Sequence, residues 1–459
     1  IIERTACGAG EGEIFMKKID VKRFNAFITF TRLPQAKNIF KEIEWYENYN
    51  SNVFATIISD RIDKDFSVVI LRRDKDSKFR CSDTKYSLAT IEEARKWMLD
   101  IVEKIEKSRE YIFVQYDEKG KNIDVFNTIK NKNISDSFKI LNNSDEYKPA
   151  KLLISEIMPH YMDIDGNFVE QFQTTGFDAR IWELYLYCYF NEEKFIINKD
   201  YSAPDFYISK DGYNISIEAS TLNNKKEYQL DIKIYDRINS ILPIRFGSSI
   251  KSKIDHVDKN NLHYWEYEHT KDKPFIIAIA DFSNDISMIY SSNSLINYLY
   301  GYSHEISYNK EGNLNIIPKK IENFKYNDKV IDAGFFLKKE NENISAILSS
   351  TSGTLNKFLR IGKQSGFDKY NKLCIMKEAF YYDPNPNASK PIHDISEVTE
   401  KTNEKWGDGL SIYHNPNAKF PIQRHLFPNA THHIFRNGLI ETVTHPYSLL
   451  SSITYISIR

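Results

Sequence analysis

The chain has 459 residues and a formal net charge of −1, with 62 Lys and Arg against 63 Asp and Glu. That balance excludes a broadly basic protein that coats nucleic acid, but leaves room for a local basic groove. The length exceeds what one hydrophobic core usually supports, so more than one domain is expected. The cysteines at 7, 81, 188 and 374 are too scattered for a CxxC ribbon or a disulfide framework. No apolar run approaches the ~18 residues that span a bilayer, and no signal peptide is evident. The expectation is a soluble cytoplasmic protein with no membrane partner.

In chain order, residues 1–15 read as a leader or unstructured extension ahead of Met16. Residues 16–115 read as a small α+β accessory domain. NVFATIISDRIDKDFSVVILRRD alternates like a hairpin with its turn near Asp60–Asp65, and KFRCSDTKYSL adds a strand. Thr90 and Glu93 occupy the positions of a capping box, so a helix should run from there to about Lys107. Residues 116–146 are rich in Asn, Lys, Asp and Ser and read as a polar connector. A core is expected over 147–330, with helices near 149–161, 176–191, 246–268 and 292–300. Within it KPFIIAIADF is apolar enough for a central strand. Residues 331–459 read as a loop-rich extension with a few strands, packed on that core.

The segment from Phe177 to Thr221 carries the chemistry. Glu183 lies in the apolar helix GFDARIWELYLYCYF, Asp205 follows Pro204 at the head of a strand, and Glu218 lies in the apolar strand YNISIEAST. Burying a carboxylate without a partner is costly, so these acids need a cation or a firm structural reason. Alternation along the second strand puts Ser216, Glu218 and Ser220 on one face and Ile215, Ile217 and Ala219 on the other. Magnesium takes oxygen ligands and keeps several waters, so Asp205, Glu218 and the Ala219 carbonyl suffice to hold Mg2+ or Mn2+. The structural alternative is that Asp205 ends a turn, Glu218 pairs with a lysine, and Glu183 caps or bridges.

RIWELYLYCYF, APDFYI and ISIEAST resemble the PD-(D/E)XK nuclease superfamily over roughly residues 165–300. The resemblance implies an α/β class, α+β overall: a restriction-endonuclease-like mixed sheet flanked by helices, between the N-terminal domain and the C-terminal extension. It implies a metal-dependent nuclease, with DNA favoured over RNA as partner. Glu183 would be the helix acid, Asp205 the metal-bridging aspartate and Glu218 the second metal carboxylate. The family's lysine falls at Ser220, so a cation must come from elsewhere. Lys251 and Lys253 in the next helix are the candidates, with Lys225 and Lys226 as competitors. Failing that, the fold is a degenerate one that binds nucleic acid or a partner protein without cutting. The whole chain from Met16 also resembles a bacterial family labelled "glycosaminoglycan attachment site". The segments that carry this include GNFVEQFQTTGFDARIWELYL, SSTSGTLNKFLRIG and EKWGDGLSIYHNPNAKFPI. A role in antiviral defence would suit such a chain, and homodimerisation stays open.

Other segments carry weaker signals. Gln171, Gln173, Thr174 and Arg180 could contact phosphate or bases, and Glu170 could add a metal ligand. Lys357 and Arg360 follow a run of small hydroxyl residues and could meet a nucleic-acid backbone. The histidines at 414, 425, 432, 433 and 445 could bind zinc, although no helical HxxxH spacing supports it.

Overall fold

The computed structural model describes residues 15–120, 123–224, 233–284 and 286–459. The chain divides into two units, Ile1–Ile123 and Asp124–Arg459. The expected leader 1–15, apart from Phe15, lies outside the described residues, as do Lys225 and Lys226.

In the first unit, β1 (Met16–Ile19) and α1 (Val21–Ile28) precede β2 (Phe40–Asn48), β3 (Val53–Asp60), β4 (Phe66–Arg73) and β5 (Phe79–Leu88), and α2 (Ile91–Ser108) closes the unit. The strands form an antiparallel sheet in the order β1-β2-β3-β4-β5. The β3–β4 hairpin and the α2 capping box stand where the sequence places them. Every second residue of β3 (Val53, Ala55, Ile57) meets Ala94, Met98 and Val102, which recur four apart along one face of α2. This alternation against helical spacing is why the unit folds as sheet under helix.

The second unit begins with α3 (Asp136–Asn143), α4 (Lys148–Ile157), α5 (Phe168–Gln173) and α6 (Phe177–Glu192). Then come β6 (Ile196–Asn198), β7 (Phe206–Lys210), β8 (Tyr213–Asn223), α7 (Ile234–Asp236), α8 (Leu242–Ile254), β9 (Phe275–Phe282) and α9 (Ser291–Tyr300). The pairs β10 (Tyr302–Tyr308) with β11 (Leu314–Lys320) and β12 (Asn323–Tyr326) with β13 (Lys329–Asp332) form small ribbons. The chain ends with β14 (Ala346–Ser350), α10 (Leu355–Gln364), β15 (Leu373–Tyr381), β16 (Ile392–Glu397), β17 (Leu410–His414), β18 (Thr431–Arg436), β19 (Leu439–Val443) and β20 (Leu449–Ile458).

An eight-stranded mixed sheet runs β19-β18-β17-β14-β9-β8-β7-β6. β6, β7 and β8 form an antiparallel meander, and β9 lies parallel to both β8 and β14. The apolar run of β9 is central and covered on both faces. Phe275, Ile277 and Ile279 pack with α8 and α9, while the Trp182 indole of α6 donates to the Ala278 carbonyl at 3.1 Å.

Three sequence expectations are corrected here. Residues 331–459 are not a loop-rich extension, because β14, β17, β18 and β19 complete the central sheet. A few strands were expected here, but they are short and interleaved with Asn-, Pro- and Gly-rich turns, which masked their place in the central sheet. The connector contains α3, capped by Ser135, and the division between units falls inside it. The helix expected to reach residue 268 ends at Ile254. Beyond it the Asp258 carboxylate accepts the N–H groups of Asn260 and Leu262 and turns the chain.

Candidate active site

The apolar residues of α6 surround its whole circumference, so this helix is buried on every side between Ile181 and Phe190. Glu183 is therefore buried too, and its surroundings supply polar partners. Arg180, one turn earlier, donates to Glu183 Oε2 at 2.6 Å. The same guanidinium donates to Asn167 Oδ1 at 2.9 Å and to Gln171 Oε1 at 2.6 Å. The Tyr161 hydroxyl lies 3.5 Å from the same Glu183 oxygen. Gln171 and Arg180 thus hold Glu183 in place.

Asp205 precedes β7, and the β7–β8 register pairs Phe206 with Ile217. Continuing it by one residue sets Asp205 opposite Glu218, and opposed residues of an antiparallel pair share a face. At this rung the side chains supply the bonds. The Asp205 N–H donates to Glu218 Oε2 at 3.3 Å, and the Ala219 N–H donates to Asp205 Oδ2 at 2.7 Å. The N–H and C=O of one strand residue point to the same side, so the Ala219 carbonyl faces the Asp205 side as well.

A cation reaches Glu218 from α8. Ser220 and Ser249 meet hydroxyl to hydroxyl at 2.8 Å, which docks α8 against β8. Lys253 lies one turn further along the same helix face, and its ammonium donates to Glu218 Oε1 at 2.6 Å. Lys251 points away: it pairs with Asp255 at 2.9 Å with its side chain 74% exposed, so it is corrected out of the site.

Two buried carboxyls here hold their protons unusually well. Burial, then the charge of Asp205, pushes Glu183 and Glu218 up to about 7. Lys253, together with a hydrogen bond from Tyr264, opposes that rise at Glu218. Burial works against the Lys253 ammonium, but Glu218 outweighs it and holds the lysine above its ordinary value. Lys199 stands nearby, 3.4 Å from the Asp205 carbonyl, and burial pushes it down despite the pull of Asp205 and Glu183. Sequence reasoning missed Lys199, Tyr161 and Tyr264. The aromatic run HYWEYEH was the one available signal for Tyr264.

The other candidates lie elsewhere. Gln173 is fully buried, donates to the carbonyls of Val125 and Asn127, and accepts the Ile129 N–H. It anchors the connector and cannot read nucleic acid. The Thr174 hydroxyl donates to the Glu170 carbonyl, and the Glu170 carboxylate pairs with Lys132. Lys357 and Arg360 are 0% and 2% exposed and enclose Glu404, so neither meets a nucleic-acid backbone. They were misread because their helix buries its polar residues. His414 and His432 bond each other at 2.9 Å, and burial pushes both down, His414 to about 4.

Among the described residues, no group of three or more His, Cys, Asp or Glu side chains could hold a metal ion. The Asp205–Glu218 pair would need the Ala219 carbonyl to complete a set. That set is all oxygen, which suits magnesium or manganese. Comparisons with family models, curated proteins and solved structures find no match to this chain. Among the described residues no helix is long and apolar enough to cross a membrane.

Proposed function

We propose that the second unit is a metal-dependent nuclease on a restriction-endonuclease-like core, cleaving phosphodiester bonds in DNA in preference to RNA. The succession α6, β6, β7, β8, α8, β9 supports this reading, with its antiparallel meander and parallel fourth strand. One observation carries it: Asp205 and Glu218 share a rung of the sheet, and Lys253 arrives from the next helix to contact Glu218. Asp205, Glu218 and the Ala219 carbonyl would hold the cation. When bound, Mg2+ or Mn2+ supplies charge stabilisation and a more acidic water. Lys253 places a fixed positive charge beside the carboxylates, where a scissile phosphate gains negative charge. Glu183 and Glu218, near 7, can exchange a proton around neutral pH. A bacterial defence role in the cytoplasm is a proposal by analogy alone.

The second reading is a non-cutting fold that binds nucleic acid or a protein. The Arg180–Glu183 and Lys253–Glu218 ion pairs favour it, because they neutralise the acids with no metal.

The test is incubation of the protein with plasmid, linear DNA and RNA, in magnesium, manganese or chelator. Asp205→Asn is the variant of choice. Asp205→Ala would orphan the Ala219 N–H, at about 1–3 kcal/mol, whereas Asn keeps an acceptor there. Asp205→Asn should abolish cleavage and the magnesium-dependent rise in melting temperature. Wild-type protein that neither cuts nor responds to either metal would move the reading to the binding module.

A further inference from the structure

The chain between α8 and β9 is rich in rings: His256, His263, Tyr264, Trp265, Tyr267 and His269. Hydrogen bonds tie this segment to the carboxylate site. The Tyr264 hydroxyl bonds Glu218, and His269 Nε2 donates to the Ala203 carbonyl at 3.0 Å, two residues before Asp205. The segment is thereby fixed beside both acids.

The rings form one file. His256 stacks on Tyr264 with centroids 4.8 Å apart, and Tyr264 meets Tyr267 edge-on at 6.2 Å. Tyr267 stacks on His269 at 5.7 Å, and His269 stacks on Tyr201 at 3.7 Å, with those last two planes 2° from parallel. Tyr207 of β7 meets both Tyr201 and His269 edge-on. Core packing accounts for Tyr264 and Tyr267, which lie in or against the cluster around Phe275. It does not account for the two ends of the file: His256 is exposed and Tyr201 is 40% exposed.

Charge adds little along this file. Lys273 donates to the His269 carbonyl at 2.6 Å and lies 5.4 Å from the centre of the Tyr207 ring. It also borders a cavity of about 330 Å³ together with Trp265, Lys271 and Lys419. Glu266 and Asp272 line the same cavity, and Glu268 pairs with Lys271. Acids therefore largely match these cations. A duplex is held chiefly through its phosphates, which needs a surplus of cations. Its bases also stack on one another and offer no free face to a ring. An unpaired strand offers the faces of its bases, and aromatic rings hold them without regard to sequence. The file is fixed by its own contacts before a strand arrives, so little ordering is left to be done on binding.

We propose that the carboxylate site takes single-stranded DNA, with an unpaired base stacked on Tyr201 and the backbone led past Asp205 and Glu218. This inference rests on the nuclease reading and narrows its substrate.

The test is fluorescence anisotropy of the full chain, in chelator, with a labelled single-stranded oligonucleotide, its blunt duplex and an abasic strand of equal length. The single strand should bind at least about tenfold tighter than the duplex or the abasic strand. Tyr201→Ala should weaken binding of the single strand at least about fivefold, the low end of what one stacked base supplies. Tyr201→Phe should restore it, because the ring and not the hydroxyl stacks. The abasic comparison asks the same question of wild-type protein and serves if Tyr201→Ala does not fold. In magnesium, supercoiled plasmid should be nicked faster than relaxed plasmid, since supercoiling unpairs the strands. No binding of the single strand, equal binding of strand and duplex, equal binding of the abasic strand, or unchanged binding by Tyr201→Ala would each overturn the inference. Cleavage of duplex in magnesium would leave the nuclease reading standing in all four cases. Tight binding of the single strand through Tyr201, with no cleavage in magnesium or manganese, would end the nuclease reading and keep the stacking surface.

Discussion

Glu218 and Glu404 are both buried glutamates in the same unit, and their surroundings drive them in opposite directions. At Glu218, burial and the neighbouring Asp205 outweigh one lysine, and the carboxyl rises to about 7. At Glu404, burial also opposes the charge, but Arg360, Lys357 and Lys377 overcome it and hold the carboxyl well below its ordinary value. The first group can change protonation or exchange its lysine for another cation near neutral pH. The second is a permanent charge on which three cations depend. Burial alone does not set the charge of a buried acid; the ratio of carboxylates to cations around it does.

The largest expected effect follows from removing each charge. Glu404→Gln leaves three buried cations without their carboxylate and should cost about 3–5 kcal/mol, read by urea denaturation. Glu218→Gln should be neutral or stabilising at pH 8, since it removes a charge that burial disfavours. Equal losses in both variants would erase the contrast.

Lys253→Met should lower cleavage by about 10²–10³-fold, the size seen on losing one preorganised stabilising group, measured by plasmid nicking. Near wild-type activity would mean that another cation, such as Lys199, serves Glu218.

The contrast also has a pH signature. The folded value of Glu218, about 7, lies above the ~4.3 of an unfolded chain. Between those values the folded protein keeps a proton that the unfolded chain has lost. Its contribution to stability therefore falls as pH rises through this window, and is unpenalised below it. Glu218→Gln should gain on wild type from about pH 5 to about pH 8, followed by denaturation in chelator. Magnesium should narrow that gap by favouring the charged carboxylate in the wild type. A gap that does not change with pH would sink the assignment.

The smallest effect is expected at Lys251, whose ion pair with Asp255 is mostly exposed. Lys251→Ala should change stability by less than about 0.5 kcal/mol and leave cleavage untouched. A large loss of cleavage would return Lys251 to the site.

Much of the first unit was legible before the structure. Val53, Ala55 and Ile57 alternate, Ala94, Met98 and Val102 recur every four residues, and Thr90 with Glu93 spells its own cap. These are local patterns, and the structure keeps them. The acids Glu183, Asp205 and Glu218 were also visible, because a charge inside an apolar run stands out. Lys357 and Arg360 read as surface cations because nothing near them in sequence announces Glu404, more than forty residues later. The place of β14, β17 and β18 in the central sheet was hidden for the same reason, since their pairing partners are distant.

The sequence by itself determined the sheet-under-helix pattern of the first unit, the two strands beside Asp205 and Glu218, and the helix that could send a lysine to them. Only the tertiary structure decided that Lys253 reaches Glu218 while Lys251 faces solvent, that Arg180 holds Glu183, and that three cations converge on Glu404. Spacing of 3.6 or 2 residues sets which face a side chain occupies. What waits on that face depends on segments brought together from across the chain.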